Sequence, residues 1–169
     1  YHFDMVRVGT ALYVLSCNPE KTFGLQPILS LKAKIVSIKA VRGNHPVSYH
    51  TKALEDIVKL QDDNLNSDSI NQIAHISFGY WDCPLLLTKK NIEVWINGNL
   101  YPSKDEACMD NACIDITGSE GIQVGDEVII LGDKPGITLS AVLNRVKIDL
   151  VHSEWVCMIS RRLPRTYLN

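Results

Sequence analysis

The clearest pattern along the chain lies at residues 28–41, "ILSLKAKIVSIKAV". Leu29, Leu31, Ala33 and Ile35 fall on one parity and Ser30, Lys32 and Lys34 on the other. A two-residue period sets successive side chains on opposite faces, so this stretch predicts a long antiparallel strand buried on one side. Further strands are expected over 5–15, around "HPVSYH" (45–50), and over 73–80, 92–96, 124–131 and 155–161, with another leading to Cys108-Met109-Asp110 and then "ACIDIT". Asn97-Gly98 follows 92–96 directly, which is a strong hairpin signal. Gly132 to Gly136 reads as a turn, and Thr138 is placed to cap a short helix over "LSAVLNRV" (139–146). Residues 51–72 differ. Ala53, Leu54, Ile57 and Val58 could form one apolar helical face for two turns, and the rest is polar. That segment is expected to be a mobile excursion from the strand pattern. Many short strands with one or two helices predict an all-β barrel or sandwich over residues 21–169.

Composition narrows the function without naming it. A hydrophobic fraction of 46% and a charged fraction of 21% are those of an ordinary globular domain, and 169 residues suit one domain or one plus a piece of another. A net charge of −2 offers no electrostatic footprint for nucleic acid, so no nucleic-acid partner is expected. No apolar run approaches the roughly 20 residues of a membrane span. The opening "YHFDMVRVGT" has neither the basic nor the apolar region of a signal peptide. Cys17, Cys83, Cys108, Cys113 and Cys157 are odd in number and form no C-x-x-C pair. Reduced thiols in a cytoplasmic protein are expected, and no metal is assigned. The chain opens without a methionine just ahead of a strand-like run, as a piece of a larger fold would.

One short stretch raises a chemical question. In "HISFGYWD" (75–82) a hydrophobic strand finishes on Gly79-Tyr80. A buried tyrosine needs a partner for its hydroxyl, whereas one beside a glycine at a strand end can offer that hydroxyl to a ligand.

Taken in order, "DMVRVGTALY" (4–13), "LSLKAKIVSIKAV" (29–41), "VSY" (47–49), "FGYWD" (78–82), "INGNLYP" (96–102), "CMDNACIDIT" (108–117), "VGDEVIILG" (124–132) and "ISRRLPRTYL" (159–168) make the chain resemble the C-terminal part of bacterial alanine racemase. The resemblance covers nearly the whole chain. It implies a pyridoxal-phosphate enzyme that interconverts L- and D-alanine and supplies D-alanine to the bacterial cell wall. It also implies a head-to-tail homodimer, in which a barrel of strands and helices (TIM-type) holds the cofactor and a β domain follows. Residues 1–20 would then be the last strand and exit of that barrel, and the β domain would lend residues to the partner's site.

The resemblance assigns roles one residue at a time. Racemisation takes the Cα proton from one face and returns one to the other, so proton-transfer groups must stand on both faces. Tyr80 matches one of the two, the one that removes the proton of the L-enantiomer. The other is a lysine that binds the cofactor covalently and lies upstream of anything here, so this chain alone is expected to be inactive. A free phenol titrates at about 10, so such a base needs nearby positive charge. Arg7 matches the arginine that faces the cofactor's pyridine nitrogen. Gly9 and Thr10 match positions whose backbone N–H groups approach the phosphate. Met109 matches the residue whose backbone lies near the substrate carboxylate. Arg161 stands where a phosphate-bonding tyrosine is common, and a guanidinium can also meet a phosphate.

Other positions depart from the family's motifs, and a spacing from Tyr49 to Tyr80 longer than the family's makes residues 51–72 an inserted loop or helix. "G-Y-A-D-G" is here Gly79-Tyr80-Trp81-Asp82-Cys83, "S-Y-G" is Ser48-Tyr49-His50, and an arginine two residues before "C-M-D" is replaced by Glu106. An anion at Glu106 is expected to repel a carboxylate substrate. A serine or broad-specificity racemase, and a non-catalytic β module for dimerisation or binding, remain as alternatives.

Overall fold

The computed structural model describes residues 3–9, 26–42, 47–48, 69–83, 92–146 and 152–168. Among the described residues six strands are present: β1 (Leu31–Arg42), β2 (Ile70–Ile76), β3 (Glu93–Ile96), β4 (Asn99–Pro102), β5 (Ala112–Asp115) and β6 (Glu127–Leu131). The described residues also include two short helices, α1 (Leu139–Val146) and α2 (His152–Cys157). The strands run antiparallel in the order β4-β3-β6-β1-β2-β5.

β1 makes the architecture. Its first half pairs with β6, with Leu31 opposite Leu131, and its second half pairs with β2, from Ile35 opposite Ile76 to Arg42 opposite Ile70. The register slips between Ile35 and Ser37, where the strand changes neighbours and Val36 is turned out to solvent. Such a bulge bends a strand and increases its twist. The sheet curls until its outer strands meet. Ser103, just past β4, bridges to Ile114 of β5, and the Lys104 N–H donates to the Cys113 carbonyl at 2.8 Å. The barrel is therefore closed along this seam, and closure removes the exposed edges that invite aggregation.

The alternation in β1 is the one expected, with Leu31, Ala33 and Ile35 buried and Lys32 and Lys34 exposed. They join Ile76, Ile96, Ile114, Ile130 and Leu131 in one core. The expected hairpin is also present: Asn97 and Gly98 both take positive φ, 45° and 93°, which is what a tight turn matched to strand twist requires. Gly98→Ala should cost roughly 1–2 kcal/mol, the penalty for an L-residue in left-handed conformation. A urea-unfolding midpoint shifted by less than experimental error would contradict this.

Thr138 caps α1, its Oγ1 accepting the Ala141 N–H at 3.3 Å. Val142 and Leu143 turn inward, and Arg145 ties the helix to Glu93 of β3 and to the Gly136 carbonyl.

Several expectations are corrected. Residues 155–161 form no strand: 152–157 are helical and the chain turns at 158–159. A short apolar run such as "WVCMIS" carries too little period to separate the two. The helix wins because it delivers Trp155, fully buried, into the core and leaves Glu154 and Cys157 outside. The strand expected over 73–80 runs instead over 70–76, so residues 70–72 belong to β2 rather than to the insertion. Residues 51–68 lie outside the described residues. So do residues 10–15 of the first expected strand; its residues 5–9 are exposed and form no ladder, no neighbouring strand lying beside them among the described residues. Val47 and Ser48 are likewise not in a strand. No helix among the described residues is long and apolar enough to cross a membrane.

Candidate functional site

The chain leaves β2 under tight control. The Ser77 N–H donates to the Lys34 carbonyl at 2.9 Å, and the Lys34 N–H returns to Ser77 Oγ at 3.2 Å. Phe78 and Cys83 are both buried and anchor the chain on either side of a turn that carries Tyr80 and Trp81. Asp82 closes this turn twice. Its N–H donates to the Gly79 carbonyl at 3.0 Å, and its Oδ2 accepts the Gly79 N–H at 2.9 Å. Tyr80 thus sits not at a strand end, as expected, but in a separate turn beyond it. It is half-buried against the core, and its hydroxyl makes no hydrogen bond to a described residue.

The glycine beside it has a different purpose from the one first read. A β-carbon on Gly79 would overlap the Met109 carbonyl group and the Asp110 nitrogen, so the missing side chain admits a second backbone segment. That segment is a small loop closed by the Cys108 N–H donating to the Asn111 carbonyl at 2.8 Å. The two loops are stitched together by Tyr80 N–H to the Cys108 carbonyl at 2.9 Å and Trp81 N–H to the Met109 carbonyl at 3.0 Å. Trp81 and Met109 remain largely exposed beside each other.

A third segment completes the cluster. The Ser160 N–H donates to the Asp82 carbonyl at 2.8 Å. Arg162 spans both loops, its Nε donating to Asp82 Oδ1 at 2.7 Å and its Nη1 to Asp110 Oδ1 at 2.6 Å. These bonds, to Asp82 and then Asp110, push the Arg162 pKa upward. Asp82, 3% exposed, is the one buried polar or charged side chain among the described residues, and it is fully engaged. On the flank, Ser48 Oγ donates to the Glu106 carbonyl at 2.6 Å and lies 3.5 Å from Cys108 Sγ.

Residues 28–167 match the family model described as "Alanine racemase, C-terminal domain". The chain belongs to that family. Among curated relatives, "Alanine racemase 2" of Caldanaerobacter subterraneus subsp. tengcongensis is 35% identical over 169 residues, covering 99% of this chain and 40% of its own length. "Alanine racemase" of Clostridium novyi is 34% identical over 170 residues, covering 98% and 41%. Among solved structures, an alanine racemase of Clostridium difficile 630 superposes with a TM-score of 0.78 at 29% identity, covering 98% of this chain and 41% of that one. The chain therefore spans about 40% of the length of the relatives it matches. The expected fold, an alanine racemase C-terminal-type β domain with short helices, is the observed one.

Within the family's motifs, the structure brings Tyr80 and Met109 together and places Arg161, exposed, next to the Ser160–Arg162 segment that grips Asp82. It does not bring Arg7 and Gly9 to them: both lie in an exposed segment, and a β-carbon on Gly9 would meet nothing within 4 Å. Thr10 lies outside the described residues, as do Tyr49 and His50.

Asp82, Asp110 and Arg162 are the residues that sequence reasoning passed over. Each stood inside a quoted motif, and the acidic–basic complementarity of "GYWD", "CMD" and "SRR" was the available signal. Burial, with Cys108 and Asp105 adding to it, pushes the Cys113 thiol up to about 11, so it is a protonated wall residue rather than a nucleophile.

Proposed function

We propose that this chain is the C-terminal part of a pyridoxal-phosphate-dependent alanine racemase and that Tyr80 moves the Cα proton of L-alanine in the partner subunit's site. The observation that carries the reading is the turn that holds Tyr80. Phe78 and Cys83 anchor its flanks, Asp82 closes it, and the Met109 loop braces it, while the phenol hydroxyl is left uncommitted among the described residues. A backbone so fixed, beside a hydroxyl with no partner among the described residues, supports a role for that hydroxyl beyond the core.

The residues present fit an anionic cofactor and a carboxylate substrate. Arg7 and Arg161 are exposed guanidiniums with no ion pair to a described residue, and Gly9 leaves open space for close backbone approach. When bound, pyridoxal phosphate supplies the electron sink that makes the substrate's Cα–H acidic. In this reading Arg7 would meet the cofactor's pyridine nitrogen, a position where a guanidinium keeps its own proton. Gly9, Thr10 and Arg161 would hold its phosphate. The Met109 backbone orients the substrate carboxylate, so that the proton to be moved faces the Tyr80 hydroxyl. The named relatives, all alanine racemases, favour alanine as substrate, and a head-to-tail homodimer supplies the second half of each site. Cys108, Cys113 and Cys157 form no disulfide with one another, and this reading places the protein in a reducing cytoplasm.

Solvent-deuterium exchange into L- and D-alanine by the complete protein carrying Tyr80→Phe tests the proton-transfer role. The partner assignment has its own test. In the proposed dimer Arg7 serves its own subunit's cofactor and Tyr80 its neighbour's. Mixing complete Arg7→Ala with complete Tyr80→Phe should give heterodimers with one doubly damaged site and one intact site, and activity should return. Subunit exchange without recovered activity would show that both residues serve the same site.

A further inference from the structure

We infer that Arg162 is a positioning residue for racemisation, holding the Tyr80 turn and the Met109 loop at a fixed separation through one guanidinium shared by Asp82 and Asp110. The inference rests on the reading of Tyr80 given above. Two loops meet at this point, one carrying the proton-transfer group and the other the backbone that orients the carboxylate. Their direct links are two backbone hydrogen bonds, Tyr80 to Cys108 and Trp81 to Met109. Arg162 adds a third, of a different kind. Its planar fork reaches Asp82 Oδ1 at 2.7 Å with Nε and Asp110 Oδ1 at 2.6 Å with Nη1. A rigid fork fixes both distance and angle, which a lysine's single ammonium cannot do.

Asp82 makes the coupling directional. Its other oxygen accepts the Gly79 N–H, so any shift of the guanidinium is passed to the residue immediately before Tyr80. Its main chain is held as well, by Ser160 on one side and Gly79 on the other. The Arg162 side chain is 39% exposed and that of Asp110 63%, so the outer arm of the clamp can be loosened without opening the core. Arg162 itself need touch neither substrate nor cofactor. It acts by where it puts Tyr80 relative to Met109.

The test uses the complete protein and follows solvent-deuterium exchange into L-alanine and D-alanine separately. A base displaced by about 1 Å costs on the order of 10²-fold, so Arg162→Gln should slow L-alanine exchange by about 10- to 100-fold, chiefly in kcat. D-alanine exchange should change by no more than about 3-fold, because the opposite face does not depend on Tyr80. Arg162→Lys should recover part of the loss. In the double variant Arg162→Gln/Tyr80→Phe, L-alanine exchange should be no slower than in Tyr80→Phe alone, since residues that act through one another are not additive. Asp110→Asn, which leaves Arg162 on Asp82, should show the same lopsided loss in milder form and carries the test if Arg162→Gln does not fold. Equal losses on both faces, or losses that multiply in the double variant, would overturn the positioning role. A lopsided Tyr80→Phe with normal Arg162 and Asp110 variants defeats this inference alone, whereas a symmetrical Tyr80→Phe defeats the reading beneath it as well.

Discussion

Replacing Tyr80 by phenylalanine in the complete protein is expected to leave folding nearly intact while racemisation falls by roughly 10²–10⁴-fold, the usual worth of a positioned acid or base. The variant removes one oxygen. Tyr80 is half-buried with its ring against the core and its hydroxyl free of described partners, so the packing survives and no buried donor is orphaned. The loss should also be lopsided. The two enantiomers present their Cα protons to opposite faces, and in the proposed site the phenol serves the L-enantiomer while the upstream lysine serves the other. Deuterium incorporation starting from L-alanine should therefore collapse while exchange starting from D-alanine persists. A purely structural tyrosine predicts a different pattern: a stability change of about 1 kcal/mol or less and equal, small rate losses in both directions. Initial exchange rates for each enantiomer, measured with the unfolding midpoint of the same preparation, separate the two outcomes.

How much of this was legible beforehand depended on whether the cause was local. The Asn97-Gly98 hairpin and the Thr138 cap could be read directly, because a positive φ and an exposed helix N–H are demands that one or two residues meet by themselves. The β1 alternation was legible because one face is buried along its first half. The end of β2 was misplaced because Ile76, Phe78 and Tyr80 keep the two-residue period after the ladder has stopped. Phe78 is buried, but against the core beneath the turn rather than in a strand. The helix at 152–157 was missed because its identity lies in the destination of one side chain, Trp155, and a pattern six residues long does not reveal that.

The site divides the same way. Tyr80 and Met109 could be named from motifs. The clamp between them could not, because its partners are 80 and 52 residues apart in sequence: β2–β5 pairing brings the two loops together, and the segment after α2 lays Arg162 across them. Arg161 drew notice by standing where a tyrosine is common, yet its neighbour Arg162 is the one the structure engages with both carboxylates.

Gly79→Ala should be the most damaging single-methyl change in this cluster. The added carbon has nowhere to go. It would overlap the Met109 carbonyl group and the Asp110 nitrogen, all backbone atoms, and backbone cannot step aside as a flexible side chain would. Relief requires the two loops to part, breaking the Tyr80–Cys108 and Trp81–Met109 hydrogen bonds and drawing Asp82 away from Arg162. Overpacking a well-filled interior costs about 1–3 kcal/mol, and the loss of these hydrogen bonds places this case at the upper end, at about 3 kcal/mol. The contrast with Tyr80→Phe is diagnostic. Gly79→Ala should lower the unfolding midpoint and slow exchange at the L-alanine face together, because parting the loops moves the phenol away from the backbone that orients its substrate. Gly9, by comparison, has open space around it in this chain, so Gly9→Ala should leave the midpoint of the β domain unmoved. A Gly79→Ala protein with wild-type stability would mean that the Met109 loop is not packed against this turn, and the clamp proposed for Arg162 would lose the contact it is built across.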